Sequence, residues 1–370
     1  MRFPEFSGEW IESKLGDIAD FSKGAGISKD QRSEEGNPCI LYGELYTRYK
    51  SEVITNVFSK TALPDSELVK SIANDIIIPA SGETAEDIAT ARCVPFDNIM
   101  LGGDLNIIRL HEQDGKFFSY QLNGVRKYDI ATVAQGVSVV HLHAGDLKGI
   151  TVKYPSHIAE QEKISQILGL IDYRIATQSK IIEEQETLLR SLRHKIYSRV
   201  QAESQCTIAD VLYYEQPTKY LVTDTDYTDD DSQVPVLTAN KAFILGYTTE
   251  NFGIYDKGPC IILDDFTLDC KYVDFKFKVK SSAIKILRAK AKTNLRFIFE
   301  YFRFLELNTT EHKRHYIAEI EPMSILLPSN EEIDRIARLF TALDERLDAA
   351  RKELKILESK KMYMLQKMFI

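Results

Sequence analysis

Apolar residues recur at alternating steps of four and three along two long stretches of the chain. The first carries Ile164, Leu168, Ile171, Ile175, Ile182, Leu189, Leu192 and Ile196. The second carries Ile336, Phe340, Leu343, Leu347, Ala350, Leu354, Leu357, Met364 and Met368. Steps averaging 3.5 residues mark a coiled-coil seam rather than a generic amphipathic face. Gln178 and Gln185 interrupt the first seam and Lys361 the second. Polar residues at such positions cost stability but fix register and pairing. Both stretches open on a Pro-Ser pair, Pro155-Ser156 and Pro328-Ser329. The proline bars the preceding residue from helix, the serine is a capping residue, and Glu160, Glu331 and Glu332 suit the positive first turn. The pattern predicts two helices of about 44 residues, each ~65 Å long at 1.5 Å per residue.

The two stretches are copies of one another. At an offset of 172 positions Ile164 matches Ile336, Ile171 matches Leu343, Asp172 matches Asp344 and Arg174 matches Arg346, while Lys195-Ile196-Tyr197 matches Lys367-Met368-Phe369. The order globule, helix, globule, helix follows. Two such units in tandem predict a pseudo-two-fold arrangement, with the seams paired antiparallel and the globules held apart. Within the globules, Cys39–Tyr42, Asp75–Ile78, Val137–Val140, Val234–Leu237, Cys260–Leu263 and Tyr272–Val279 read as short strands bounded by Gly, Pro or Asn. The aromatic-rich Asn294–Leu307 reads as a buried helix. The expected fold class is α+β: two mixed α/β globules, residues 1–154 and 204–327, separated by helical regions at 155–203 and 328–370.

Composition narrows the setting. The 370 residues are 44% hydrophobic and 28% charged, enough to bury two sizeable cores. No run of about 18 uncharged apolar residues exists, so a membrane span is excluded. The opening Met1-Arg2-Phe3-Pro4-Glu5 lacks the apolar stretch of a secretory signal. Five cysteines, an odd number with no CxxC pair, argue against a disulfide framework or zinc ribbon and for a reducing, cytoplasmic location. The formal net charge is −8, which by itself argues against nucleic acid. Charge is unevenly spread, however. Residues 1–150 sum to −7 and 206–270 to −9, whereas 271–303 sum to +8. Within that basic run, Lys276-Phe277-Lys278-Val279-Lys280 alternates; as a strand it would place three ammonium groups on one face. Such a face suits phosphate contacts or, equally, protection of a sheet edge. His312-Lys313-Arg314-His315-Tyr316 is a second basic-aromatic cluster, and Tyr42–Lys50 interleaves aromatics with bases in the first half.

Catalytic motifs are weak. Gly24-Ala25-Gly26-Ile27-Ser28-Lys29 lacks the spacing of a phosphate loop and reads as a turn. His141-Leu142-His143, and His312 with His315, have no evident third metal ligand. Asp256 with Asp269-Cys270-Lys271 has the order of a metal-dependent nuclease core, in which two carboxylates hold Mg²⁺ and the lysine polarises water. Its spacing is loose and the first half has no equivalent. A purely organising helical scaffold is the other rival reading.

The chain resembles the specificity (S) subunits of type I restriction–modification systems. The residues that carry the likeness are Arg2-Phe3-Pro4-Glu5-Phe6-Ser7-Gly8-Glu9-Trp10 with Lys14–Ile18, then Pro155-Ser156 through Glu160–Ile164 and Ile171–Ile175, and finally Leu343–Leu347 with Leu365–Phe369. Two departures stand out: Ile333 replaces the first repeat's Gln161, and no Arg-Phe-Pro tag precedes the second globule. The resemblance implies two target recognition domains, each reading half of a bipartite site in double-stranded DNA. It implies paired helices that set the spacer and dock two methyltransferase subunits, with restriction subunits joining the full complex. It further implies a non-catalytic chain with no cofactor of its own, S-adenosylmethionine, ATP and Mg²⁺ belonging to the partners. DNA contacts are then expected at Tyr42, Glu44, Tyr46, Arg48 and Lys50, with Ser81, Glu83 and Thr84 in the loop after the Ile76–Ile78 strand, in the first half. In the second they are expected at Thr238, Asn240, Lys241, Tyr247, Lys278, Lys280, Ser281 and Lys313, with Lys278 and Lys280 as phosphate contacts.

Overall fold

The structure is a computed structural model, described for residues 2–136, 138–238, 243–290, 293–311 and 313–369. It divides into two compact units, Met1–Ser179 with Lys352–Ile370, and Lys180–Arg351. No helix among the described residues is long and apolar enough to cross a membrane.

The first unit contains β1 (Trp10–Lys14), β2 (Ala19–Lys23), β3 (Asn37–Ile40), β4 (Ser59–Thr61), β5 (Asp75–Pro79), β6 (Arg92–Val94), β7 (Met100–Leu101), β8 (Leu105–Leu110), α1 (Gly115–Asn123), β9 (Thr151–Pro155) and the start of α2 (Ile158–Tyr197). β2, β8, β5 and β6 form an antiparallel sheet in that order. A second, five-stranded sheet has β4-β3-β7 at its centre, with β3 and β7 parallel, and is edged by Arg32–Ser33 beside β4 and Val69–Lys70 beside β7. β5 reads as an unbroken apolar run because both its faces are covered. Ile76 and Ile78 enter one core with Phe117, Phe118, Ile164 and Leu168, whereas Ile77 enters another with Ile40, Leu45, Val94 and Ile107. β1 pairs with β9, bringing Trp10 opposite Pro155 at the threshold of α2. The N-terminal tag seats there: Arg2 bonds both carboxylate oxygens of the buried Glu160 at 2.9 Å, and the Lys163 ammonium lies 4.7 Å from the Phe3 ring centroid.

The second unit repeats this plan. It contains β10 (Ser204–Thr207), β11 (Leu212–Glu215), β12 (Val234–Leu237), β13 (Ile244–Thr248), β14 (Cys260–Asp264), β15 (Cys270–Val273), β16 (Lys278–Val279), β17 (Ile284–Ala289), α3 (Leu295–Leu305), β18 (Ser324–Leu327) and the start of α4 (Asn330–Lys367). The antiparallel sheet is β11-β17-β14-β15, the smaller one is β13-β12-β16 with β12 and β16 parallel, and β10 pairs with β18 before α4. Asp114 caps α1 by accepting the amides of Lys116 and Phe117; Asn294 caps α3 by accepting those of Arg296 and Phe297. The duplication read only in the helices therefore extends to the globules, whose sequences had hidden it.

Both long helices form, at Ile158–Tyr197 and Asn330–Lys367. In the first unit Asp172 meets Lys361 and Arg174 meets Glu353; in the second Glu186 meets Arg351 and Arg193 lies over Phe340. Rising numbers on α2 meet falling numbers on α4, so the pairing within each unit is antiparallel. Ile164, Leu168, Leu189, Ile336, Phe340, Leu347, Leu357 and Met368 are buried, and Ile171, Ile175, Ile182, Leu192, Ile196, Leu343, Leu354 and Met364 are partly buried. One strand expectation fails. Tyr272–Val279 is not continuous: β15 ends at Val273, and pairing resumes only with a bridge from Phe277 to Tyr255 and with Lys278–Val279 on β12. Val137, at the head of another expected strand, lies outside the described residues; Val140–His141 pairs with Ser81–Gly82.

Candidate nucleic-acid interface

In the first unit, the segments around Tyr42–Lys50 and Ser81–Thr84 come together. Tyr46 sits where burial, and then the nearby Tyr42, Asp87 and Glu83, push its phenol pKa up. Thr84 caps the turn Ala85–Ile88 through the Asp87 amide at 3.1 Å, leaving Glu83 exposed beside it. Lys50 is exposed as well. Two expected contacts, Glu44 and Ser81, are held in the interior, while Arg48 stays exposed. Glu44 is buried, accepting the Leu41 amide and the Ser59 hydroxyl, and it pairs with Arg48. The Arg48 guanidinium stacks 4.4 Å from the Phe58 ring centroid. Ser81 is buried in the short ladder opposite His141.

In the second unit the expected lysine face does not exist. Lys278 is fully buried; its ammonium pairs with Glu250, donates to the Phe252 carbonyl at 2.8 Å and lies 4.3 Å from the Phe252 ring centroid. Burial alone would raise the Glu250 pKa, but hydrogen bonds from Lys278, Thr223 and the Asp224 amide bring it down to about 2. Because Phe277 and Val279 are also buried, the alternation does not separate a wet face from a dry one. The rest of the basic run is largely neutralised where it stands. Lys276 pairs with Asp256, Lys285 with Asp265, Arg288 with Glu215, and Arg296 with Glu300 and Asp344. Lys280 is exposed with no ion pair among the described residues, and Ser281 is exposed beside it. Lys313 is exposed but shared by Glu311 and Glu319. Tyr247 is partly buried on β13, and the Thr238 amide bonds Phe243. Asn240, Lys241 and His312 lie outside the described residues.

The nuclease constellation is not assembled. β14 and β15 form a hairpin in which Cys260 faces Val273 and Leu263 faces Cys270. Asp256 precedes the first end, where it pairs with Lys276, and Asp269 lies at the other.

Two features escaped the reading of contacts from sequence. One is a groove of about 830 Å³ on the helices of the first unit, with Ile171, Ile356, Tyr363 and Met364 as its apolar lining and Lys352, Lys355 and Lys360 around it. Ile356 and Tyr363 are about half exposed there, at 53% and 54%. Seam spacing marks which helix face is buried and carries no signal for a groove outside the seam. The other is a buried charge cluster around Lys361, signalled only by its polar position in the seam.

Comparison with known proteins places this geometry. Residues 7–187 match the family model of the type I restriction modification DNA specificity domain. A type I restriction enzyme specificity subunit of Escherichia coli is 43% identical over 158 residues, 38% of this chain and 39% of that one. The match thus spans about two fifths of that relative's length. A crystal structure of a type I restriction–modification S subunit from M. genitalium shares the fold, with a TM-score of 0.69 and 17% identity over 100% of this chain and 99% of that one. A chain from a structural study of complex assembly and conformational transition in a type I system follows with a TM-score of 0.56 and 12% identity, over 99% and 98%. The family domain thus covers the first globule and most of α2, and the whole chain shares its fold with an S subunit of known structure.

Proposed function

We propose that the chain is the DNA-reading, non-catalytic component of a restriction–modification complex, each globule reading one half of a bipartite target. The observation that carries this is the duplicated plan: two globules sharing a four-stranded antiparallel sheet and a smaller sheet with a parallel pair, each joined through a short terminal ladder to a long helix. Duplicated readers with unlike surfaces suit two unlike half-sites. In the first globule Tyr42, Tyr46, Arg48, Lys50, Glu83 and Thr84 are the proposed contacts, with the buried Glu44 and Ser81 supporting the segments that carry them. In the second they are Thr238, Tyr247, Lys280 and Ser281, with Lys313 as a phosphate neighbour. Asn240 and Lys241 complete the set by sequence alone.

The paired helices set the unspecified gap and dock methyltransferase subunits. The groove at Ile356 and Tyr363 supports such docking: an apolar floor ringed by ammonium groups suits an acidic amphipathic helix. Methyl transfer and cleavage belong to those partners, with the S-adenosylmethionine, ATP and Mg²⁺ they bind. Co-expression with the cognate methyltransferase subunit and genome-wide mapping of methylated adenines tests this reading. A split motif with a fixed gap is expected; methylation without sequence preference would leave only a scaffold.

A further inference from the structure

Lys361 lies on the seam of α4, where the matched position of α2 is Leu189, a buried apolar residue. Its ammonium is bound by two carboxylates from two other parts of the first unit. Asp172, on α2, lies 2.6 Å away, and Glu52, from the globule, pairs from the other side. The Asp172 carboxylate and the Glu52 backbone are held in turn. The Tyr120 hydroxyl donates to the Asp172 carboxylate at 2.7 Å, and the Glu52 main-chain carbonyl accepts the Cys93 amide of β6 at 2.8 Å. All three charged side chains are nearly enclosed, at 13% exposure for Lys361, 10% for Asp172 and 8% for Glu52. Burial alone would lower the Lys361 pKa, but Glu52 and Asp172 more than offset it and hold the ammonium charged.

Such a cluster is a poor way to gain stability, since apolar side chains of similar volume do as well or better. Its physical effect is selectivity. An apolar 4-3 seam tolerates sliding, whereas a buried polar partner specifies one register. Sliding α4 by a single residue moves Lys361 about 1.5 Å along the axis and turns it by about 100°, leaving two carboxylates unpaired in the interior. We propose that Lys361, between Asp172 and Glu52, is a positioning residue for target recognition: it locks α2, α4 and the first globule in one alignment and so restricts the gap between half-sites to one length. This rests on the bipartite reading above.

The test uses the assembled methyltransferase complex and DNA targets whose gap is native, one base pair shorter or one longer, a change of about 3.4 Å. Wild type is expected to prefer the native gap. The charge-free variant Glu52→Gln/Asp172→Asn/Lys361→Met is expected to keep its fold and half-site preference, with gap discrimination reduced at least fivefold. Lys361→Arg, which keeps both ion pairs, is expected to stay within twofold of wild type. Circular dichroism and thermal unfolding accompany each. Should the triple variant not fold, Asp172→Asn/Lys361→Gln is compared in its place. Unchanged discrimination in the folded charge-free variant overturns the proposal, as does equal loss in Lys361→Arg. A wild-type complex with no split target overturns the bipartite reading and this proposal together.

Discussion

Lys278 shows how far a side chain's role departs from its neighbours in sequence. Its five-residue context alternates like a surface strand, yet its charge is spent inside the second unit on Glu250 and the Phe252 carbonyl. Removing one partner of a buried pair costs about 3–5 kcal/mol, because the other charge stays behind. Lys278→Met is therefore expected to lower the urea midpoint of the second unit sharply. Lys280→Ala is expected to leave that midpoint unchanged and to reduce the salt slope of DNA binding in the assembled complex by about one. Glu250 adds a pH signature. Its carboxyl falls from the ordinary 4.5 to about 2 on folding. A depressed pKa stabilises the fold fully above the unfolded value, and that contribution is lost as pH falls from about 4.5 towards about 2. Acid titration of unfolding should show that loss in wild type and a shallower slope across the same window in Glu250→Gln.

At the scale of elements, legibility follows burial pattern. The long helices were readable because each buries one stripe and wets the rest, so the 4-3 spacing survives in the sequence. Apolar truncation should confirm which seam positions matter most. Leu168 and Phe340 are fully buried, and each change to alanine is expected to cost roughly 2–5 kcal/mol in denaturant unfolding. Ile356 is the contrasting case on the same helix. Ile356→Glu is expected to leave the melting temperature unchanged but to weaken co-purification with methyltransferase subunits at least tenfold. α1 was not predicted, since Gly115 and every residue from Phe117 to Leu122 are buried and no polar stripe is left to mark its period. α3 was predicted at Asn294–Leu307 and spans Leu295–Leu305; Asn294 caps it, and Glu306 ends it in the left-handed region at φ 47°. The reading of Tyr272–Val279 as one strand failed because its alternation reports two short elements that pair with different strands.

At the scale of the molecule, the duplication of the globules makes the sharpest prediction. Replacing residues 1–154 with the corresponding globule of a homologue should change one half-site of the methylated motif and leave the other half-site and the gap intact. Methylome sequencing reads that outcome directly. The basic run at 271–303 had suggested a continuous positive surface, but most of its charges find carboxylates within the second unit. Phosphate binding by the whole complex is accordingly expected to lean on the partner subunits. The helices, their tandem repeat and the family likeness were determined by sequence alone, because periodicity and motif spacing are local properties that one chain displays in order. Which lysines face solvent, that both globules share a central sheet plan, and that Lys361 meets a carboxylate 309 positions away were decided only by the tertiary structure. Ion pairing and burial depend on which distant segments the packed core brings together, and no local pattern encodes that.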